Sequence, residues 1–423
     1  MALIQSNERG ASQRRVVITG IGVVSPIGIG KETFWQALKS GKSGISPITA
    51  FDASDFTTRF AGEIRDFDPS QYIDVKRLKR MDRTSQFAVA CAKMAVQDAG
   101  LDFRQNDTRE KTGVIIGTAM AGHGYILTQH KTLMEKGPMR INPFTALASF
   151  PDACASNISI ELGVTGPSFS IATACSSASD AGGYAFEAIR SGAMDFLIMG
   201  GAEASIYPGI LAAFCVARAL STRNDDPQGA SRPFSRDRDG FVLGEGAGIL
   251  VLEEYGHAKA RGAHIYAEIL GHGMTCDAYH MTAPDPEGTQ AARAMQMAMA
   301  SAGVTPKDIQ YINAHGTSTS LNDKTETLII KKVYGDAAYK IPISATKSMI
   351  GHLIGAAGSV ELVATLLGME NEEIPPTINY SVPDPECDLD YVPNKSRKAK
   401  MDVVMKNSFG FGGKNSVLIL GKV

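Results

Sequence analysis

A cysteine set between a strand and a helix is the first candidate for chemistry in this chain. Residues 171–190 (Ile-Ala-Thr-Ala-Cys175-Ser-Ser-Ala-Ser-Asp-Ala-Gly-Gly-Tyr-Ala-Phe-Glu-Ala-Ile-Arg) read as a short buried strand running into a helix, with Cys175 at the junction. There a thiol faces unpaired backbone N–H groups and the positive end of the helix dipole, which predicts a stabilised thiolate and a lowered pKa. Ala174, Ser176, Ser177 and Ala178 are small and leave room for a carbonyl to approach. The competing reading is a buried structural cysteine, because a free Cys packs as a small hydrophobe. This stretch by itself leaves both open.

Three further segments carry reactive or ligand-contacting residue types. Asn313-Ala-His315-Gly-Thr317-Ser-Thr319 puts a histidine at the end of a predicted strand, where an α/β sheet presents side chains to a crevice. Lys347-Ser-Met-Ile-Gly-His352 puts a lysine and a second histidine in the turn that opens a late helix. Asn407-Ser-Phe409-Gly-Phe411-Gly-Gly413 is a glycine-punctuated loop that can bring backbone N–H groups or a phenylalanine close to a ligand. Plainer readings apply elsewhere. His123, His130, His257, His264, His272 and His280 are taken as ordinary hydrogen-bonded or surface histidines, and Cys91 and Cys215 as packing residues. Asp323 followed by Glu326 fits a helix capping box and is read as a cap. Phe409 and Phe411 would, in isolation, be core aromatics.

The elements that must position these residues come in two sets that echo each other. Residues 15–26 form a β-rich run, followed by a short amphipathic helix at 31–40. An Ala-rich helix at 84–99 stops at Gly100 and leads through a polar loop to a strand at 112–118. The same order returns as an Ala/Met helix at 290–302, Gly303, a polar loop and a strand at 309–317. A second echo links the Cys175 stretch with residues 343–361, each running strand, turn and Gly/Ala-rich helix. Buried strands at 195–200 and 248–252 complete the picture of an internally duplicated α/β protein with helix layers around its strands. The predicted division is a flexible tail at 1–14, a first half at 15–260 holding the cysteine, and a second half at 261–423 holding both site histidines.

Length and composition agree with that division. A chain of 423 residues exceeds one compact core and suits two units of roughly 200 residues each. Hydrophobic residues make up 44% and charged residues 20%, ordinary for a globular protein. Six scattered cysteines without a C-x-x-C pair argue against a zinc site and a disulfide framework, and for a reducing compartment. No signal-peptide core and no run of about 18 apolar residues is present, so a cytoplasmic location is expected. A net charge of −2 gives no case for nucleic acid. Lys76-Arg77-Leu78-Lys79-Arg80 concentrates four positive charges, which alone would be read as a solvated helix end.

Taken together, Thr173-Ala-Cys175-Ser-Ser, the Asn313 to Thr319 segment, Lys347 to His352 and Asn407 to Gly413 resemble the signature set of the elongating β-ketoacyl-acyl carrier protein synthases. Arg236-Asp-Arg-Asp-Gly-Phe-Val-Leu-Gly-Glu-Gly-Ala-Gly248 and Pro383 to Pro393 resemble the same family, so the likeness covers about residues 14–422. It implies a thiolase-like fold, a duplicated five-layer αβαβα arrangement usually found as a dimer, and a catalytic Cys175.

The implied reaction is a decarboxylative Claisen condensation of an acyl group on Cys175 with a malonyl unit on acyl carrier protein. By resemblance, the N–H groups of Cys175 and Phe411 form the oxyanion hole, and His315 and His352 hold the thioester oxygen. Lys347 raises the local positive potential with Glu361 fixing its ammonium, and Thr317 and Thr319 bind the pantetheine arm. Phe411 also gates acyl entry, and Met120 lines the far end of the acyl pocket. Lys76, Arg77, Lys79, Arg80 and Arg218 offer a landing site for an acidic carrier protein. No metal or organic cofactor is implied, since phosphopantetheine arrives on the carrier. Asp180, the 144–154 segment, Asn224 to Pro227 and Leu252 to Tyr255 point to an alternative: the ketosynthase subunit of a type II polyketide or polyene system, paired with a chain-length partner. A thiolase would need a second cysteine near Phe411, and Cys-His-Asn condensing enzymes lack the residue that His352 supplies.

Overall fold

A computed structural model of the protein describes residues 14–103 and 106–423. The predicted tail lies outside the described residues except for Arg14, which departs from the expectation. Its guanidinium donates to Asp195 Oδ1 at 2.7 Å and to the Met194 carbonyl at 3.2 Å, so the chain is anchored before the first strand begins.

The first half runs β1 (Val16–Ser25), α1 (Arg83–Asp98), β2 (Thr112–Gly117), α2 (Ala153–Leu162), β3 (Ser168–Ile171), α3 (Ser177–Arg190), β4 (Phe196–Glu203) and β5 (Gly246–Glu254). The second repeats the order as β6 (Ala267–Cys276), α4 (Thr289–Ala302), β7 (Tyr311–Asn313), α5 (Ser320–Tyr334), β8 (Ile343–Ser344), α6 (Ala357–Asn371), β9 (Val403–Gly410) and β10 (Lys414–Gly421). Strand order is β3-β2-β4-β5-β1 in one half and β8-β7-β9-β10-β6 in the other, with the same parallel and antiparallel pairings at matching places. Val16 to Ile18 of β1 pair antiparallel with Ala267 to Ile269 of β6 and join the two sheets into one ladder.

Burial explains why the strands read as continuous apolar runs. Leu250 and Leu252 of β5 point into a core between the sheets, while Ile249 and Val251 point into an outer core under α1 and α2. In β10, Leu418 and Leu420 face the same central core, and Val417 and Ile419 face an outer core under α4 and α5. Strands covered on both faces cannot alternate apolar with polar residues. The layers are therefore helices, sheet, α3 with α6, sheet, helices. Lying between two sheets, α6 is buried on every face from Ala357 to Met369.

The duplication extends to packing. A Cβ on Gly20 or Gly22 of β1 would meet the Ala95 and Cys91 carbonyls of α1 at 2.1 and 2.0 Å. A Cβ on Gly271 or Gly273 of β6 would meet the Ala298 and Ala294 carbonyls of α4 at 2.5 and 2.1 Å. Bare backbone on each strand lets its Ala-rich helix sit close. One predicted strand contracts, since 309–317 becomes Tyr311–Asn313. Beyond Ala314, whose N–H still reaches the Ser344 carbonyl, the chain leaves the ladder because the His315 and Gly316 N–H groups are taken by a side chain, as the site shows.

Candidate active site

Cys175, His315, Lys347 and Phe411 all sit where strands of the two sheets end. The turns after β3 and β8 are counterparts. Each ends in a 3-10 turn, Ala174–Ser176 or Ile354–Ala356, which feeds the central helix α3 or α6. Ala174 (φ 53°) and Ile354 (φ 44°) both occupy the left-handed region that non-glycine residues rarely adopt. Strain at equivalent points places Cys175 at the mouth of one central helix and brings His352 to the mouth of the other.

Hydroxyls clamp the Cys175 turn. Ser177 Oγ accepts from the Thr173 N–H at 2.8 Å and donates to the Ala174 carbonyl at 2.7 Å. Asp180 Oδ2 accepts from the Thr173 hydroxyl at 2.5 Å and the Ser176 hydroxyl at 3.1 Å. The thiol itself is 4% exposed. Its predicted acidity is corrected: burial pushes it up to about 11, while the Phe411 N–H that bonds the sulfur and the Lys347 ammonium pull the other way. The helix mouth does not outweigh loss of water.

The two imidazoles are fixed in one tautomer by what faces their Nδ1 atoms. The Lys347 ammonium, 1% exposed, lies 3.2 Å from His315 Nδ1 and donates to the His315 carbonyl at 2.6 Å and Glu361 Oε1 at 2.5 Å. The Ile354 N–H donates to His352 Nδ1 at 3.2 Å. An ammonium and an amide offer only protons, so both Nδ1 atoms accept and both Nε2 atoms carry the hydrogen. Burial, reinforced by the nearby lysines, holds both rings well below the usual histidine range and therefore neutral. The rings lie 5.4 Å apart at 85°, and His352 Nε2 is buried without a partner among the described residues. The site thus holds a buried N–H donor suited to an oxygen.

The sulfur and the two ring nitrogens lie within 4.8 Å of one another, close enough to suggest a metal. The donor set does not fit one, because Nε2–H groups cannot ligate a cation while Nδ1 accepts from Lys347 or Ile354. The same atoms suit an oxyanion.

Glu326 was read as part of a cap; the structure gives it another task. α5 begins at Ser320 with Thr319 as its cap, which turns Asp323 and Glu326 inward. Glu326 accepts the N–H groups of His315 and Gly316, each at 2.8 Å, and the Asn407 amide at 3.2 Å. Asp323 accepts the Phe234 N–H at 2.8 Å and faces Arg238 at 3.6 Å. The histidine loop is therefore held by a buried carboxylate.

The turn between β9 and β10 presents Phe411. A Cβ on Gly410 would lie 3.1 Å from the Cys175 nitrogen, and Gly412 and Gly413 adopt φ of 74° and 70°. A cavity of about 260 Å³ opens beside this turn, with Cys175, His315, His352, Phe409 and Phe411 in its walls. Thr317 and Thr319 line it too, their hydroxyls 2.9 Å apart, and Arg218 stands at its edge. Phe411 is 37% exposed, unlike a core aromatic.

Other expected residues lie apart. Met120 is not among the cavity walls; its N–H is held by Glu203 Oε1 at 3.1 Å. Of the basic run, Lys76, Lys79 and Arg80 are exposed, Arg77 pairs with Glu161, and Arg80 covers the Phe144 ring. None of the four lines the cavity.

Sequence reasoning missed Glu203 and Lys406 and gave Glu326 the wrong task. Glu203 is fully buried, pushed up to about 7 by burial, and accepts N–H groups from Ala119 and Gly355 at 2.8 and 3.1 Å. A charged residue closing an apolar strand was the available signal. Lys406 is likewise a lysine inside the apolar run of β9.

Comparison with known proteins places these features in context. The model of the β-ketoacyl synthase N-terminal domain matches residues 13–258, and that of the C-terminal domain matches residues 266–381. A 3-oxoacyl-[acyl-carrier-protein] synthase 2 from Synechocystis is 50% identical over 410 residues, 97% of this chain and 98% of the relative. One from Coxiella burnetii is 47% identical over 411 residues, 97% of this chain and 99% of the relative. Among solved structures, the ishigamide ketosynthase/chain length factor superposes with a TM-score of 0.92 at 40% identity, covering 97% of this chain and 100% of that one. A type II polyketide ketosynthase bound to the hexaketide, in complex with its acyl carrier protein, gives 0.89 at 39% identity with the same coverage.

Proposed function

The chain belongs to the β-ketoacyl synthase family, and we propose from that premise and the site geometry how it condenses an acyl group with malonyl-acyl carrier protein to give a 3-ketoacyl-acyl carrier protein. It is an acyltransferase of the condensing class. The observation that carries the mechanism is the pair of neutral histidines with Nε2–H groups aimed into the cysteine's cavity.

In the first half-reaction the Cys175 sulfur attacks the acyl thioester of a carrier protein. Its proton leaves with the departing pantetheine sulfur, so a thiol is exchanged for a thiol. The N–H groups of Cys175 and Phe411 hold the oxyanion; such donors contribute about 10²- to 10³-fold each. The Phe411 N–H that bonds the resting sulfur is freed for this as the sulfur becomes acylated.

In the second half-reaction a malonyl carrier enters and its carboxylate leaves as CO2. The electron pair moves onto the thioester, and the enolate oxygen is held by the Nε2–H groups of His315 and His352. The enolate carbon attacks the acyl-Cys175 carbonyl, the carbon–sulfur bond breaks, and the sulfur leaves as thiolate and takes a proton from solvent. Lys347, fixed by Glu361, keeps His315 Nδ1 as an acceptor throughout. Thr317 and Thr319 hold the pantetheine arm and Phe411 gates acyl entry; Met120, which lies outside the cavity walls, takes no part in this reading. No metal or organic cofactor takes part, since phosphopantetheine arrives with the substrate.

Arg218 at the cavity edge, with Lys76, Lys79 and Arg80, forms the docking surface for an acidic carrier; Arg77, paired with Glu161, adds little to its charge. A second subunit pairs along β3. That strand ends the ladder, and Phe169 on it, Ile160 of α2 and Tyr184 of α3 are 40%, 66% and 50% exposed, an edge that a partner strand would cover. The subunit is either a second copy or, as in the ishigamide ketosynthase/chain length factor, a chain-length partner. A cytoplasmic location follows from this reading; among the described residues no helix is long and apolar enough to cross a membrane.

The test is intact-mass analysis of wild type and Cys175→Ala with acyl carrier proteins of increasing chain length, then malonyl carrier protein. Acylation that needs Cys175, followed by a 3-ketoacyl product two carbons longer, is expected. Acylation only after a chain-length subunit is added would favour the heterodimer. Acylation of the Ala variant would refute the assignment.

A further inference from the structure

Two lysines, not one, stand behind the histidines. Lys347 and Lys406 are 1% and 0% exposed, and both reach the same carboxylate: Glu361 Oε1 lies 2.5 Å from Lys347 Nζ and Oε2 lies 3.0 Å from Lys406 Nζ. Glu361 is itself fully buried. Lys406 also donates to the Ser408 and Ser179 hydroxyls, which are 2.8 Å from each other. The chain Lys347, Glu361, Lys406, Ser408, Ser179 thus runs from the His315 ring to α3, one turn below Cys175.

A buried ammonium without its own counter-ion is costly, and Glu361 already has a partner in Lys347. A methionine or leucine at position 406 would fill β9 with no charge to satisfy. The groups facing Lys406 offer little further compensation. Asn313 of β7 and Leu418 of β10 are its strand neighbours, Ser179 projects from α3, Ser408 from β9, and the negative groups are Glu361 of α6 and, further out, Glu326 of α5. Placed here behind Glu361, a second cation adds positive potential at both rings, which opposes their protonation and favours negative charge beyond their Nε2–H groups.

We propose that Lys406 is a positioning residue for the decarboxylation half-reaction: it anchors the outer oxygen of Glu361, so that Lys347 keeps its contact with His315, and supplies the second buried positive charge that favours the enolate. Both histidines are held down by burial first, with Lys347 and Lys406 adding to it. The inference rests on the condensing mechanism above, and separate readouts keep the two apart.

The experiment uses full-length wild type, Lys406→Met and Lys406→Arg. Acylation of Cys175 is followed by intact mass, and CO2 release from malonyl carrier protein is followed as a function of pH. In Lys406→Met, acylation should stay within about twofold of wild type while CO2 release falls about tenfold or more, the loss of one preorganised charge at an oxyanion. Removing a cation lets the histidines protonate more easily, so the acid-side loss of CO2 release should move up toward neutral pH. Lys406→Arg, which keeps the charge, should recover part of the rate and the wild-type pH limb. A role in packing alone would lower both half-reactions together and leave the limb in place; that result, or unchanged CO2 release, overturns the proposal. If Lys406→Met fails to fold, Lys406→Gln, which can still donate to Glu361 without charge, carries the same comparison. Wild type that neither acylates nor releases CO2 would refute the condensing reading instead.

Discussion

Replacing Glu326 by glutamine tests whether the histidine loop is held from behind. Glu326 accepts three buried donors: the His315 N–H and Asn407 amide on Oε1, and the Gly316 N–H on Oε2. Glutamine keeps one oxygen acceptor and turns its NH2 toward one of those donors. Oriented to save the two bonds on Oε1, it strands the Gly316 N–H, at about 1–3 kcal/mol of stability for one buried unsatisfied group. The 315–316 peptide then has to move. A displacement near 1 Å at a group that must meet a developing charge corresponds to about 10²-fold in rate. The perturbation acts on His315 and not on Cys175, which a different turn holds. CO2 release from malonyl carrier protein should therefore fall by about 10- to 100-fold, with Cys175 acylation nearly unchanged. Urea unfolding measures the stability term, and the two half-reactions are timed separately on the same preparation. Wild-type CO2 release together with unchanged stability would refute the reasoning.

The buried thiol predicts that alkylation of Cys175 by iodoacetamide accelerates steadily from pH 7 to pH 10 without a plateau, since burial holds it near 11; a plateau below pH 8 would contradict this. His272, on β6 with its ring packed against Gly183 of α3, is held down to about 4 by loss of water. Its stabilising contribution is complete above the unfolded value near 6.5 and is lost as pH falls toward 4, about 3 kcal/mol in all. The unfolding free-energy difference between wild type and His272→Asn should accordingly shrink by about that amount from pH 7 to pH 4, and a constant difference would show that burial does not suppress its charge. Reversing charge with Lys79→Glu and Arg218→Glu should raise the KM for carrier protein about fivefold or more at low salt and less at high salt, with kcat kept; an unchanged KM would remove the docking surface.

The duplication was legible in sequence because each half repeats a packing device: glycines on the first strand and an Ala-rich helix laid on them. The catalytic-type residues were legible for a similar reason. Cys175, His315 and Lys347 each follow a short apolar run in a glycine- and serine-rich turn, a pattern with little use in a core. What stayed hidden depends on which way a helix or strand faces. Asp323 and Glu326 fit a cap by spacing, and only the start of α5 at Ser320 shows that both point inward. Lys406 and Glu203 look like strand residues until the sheet is known to be covered on both faces. The cysteine's acidity was misjudged because a helix mouth is visible in sequence and the depth of burial is not.

The most direct test of the central claim separates the two half-reactions in His315→Ala and His352→Ala. If neutral Nε2–H donors hold the enolate oxygen, both variants should still take an acyl group onto Cys175 while CO2 release from malonyl carrier protein falls at least 10²-fold. Variants that release CO2 at the wild-type rate, or that lose acylation while keeping CO2 release, would contradict it.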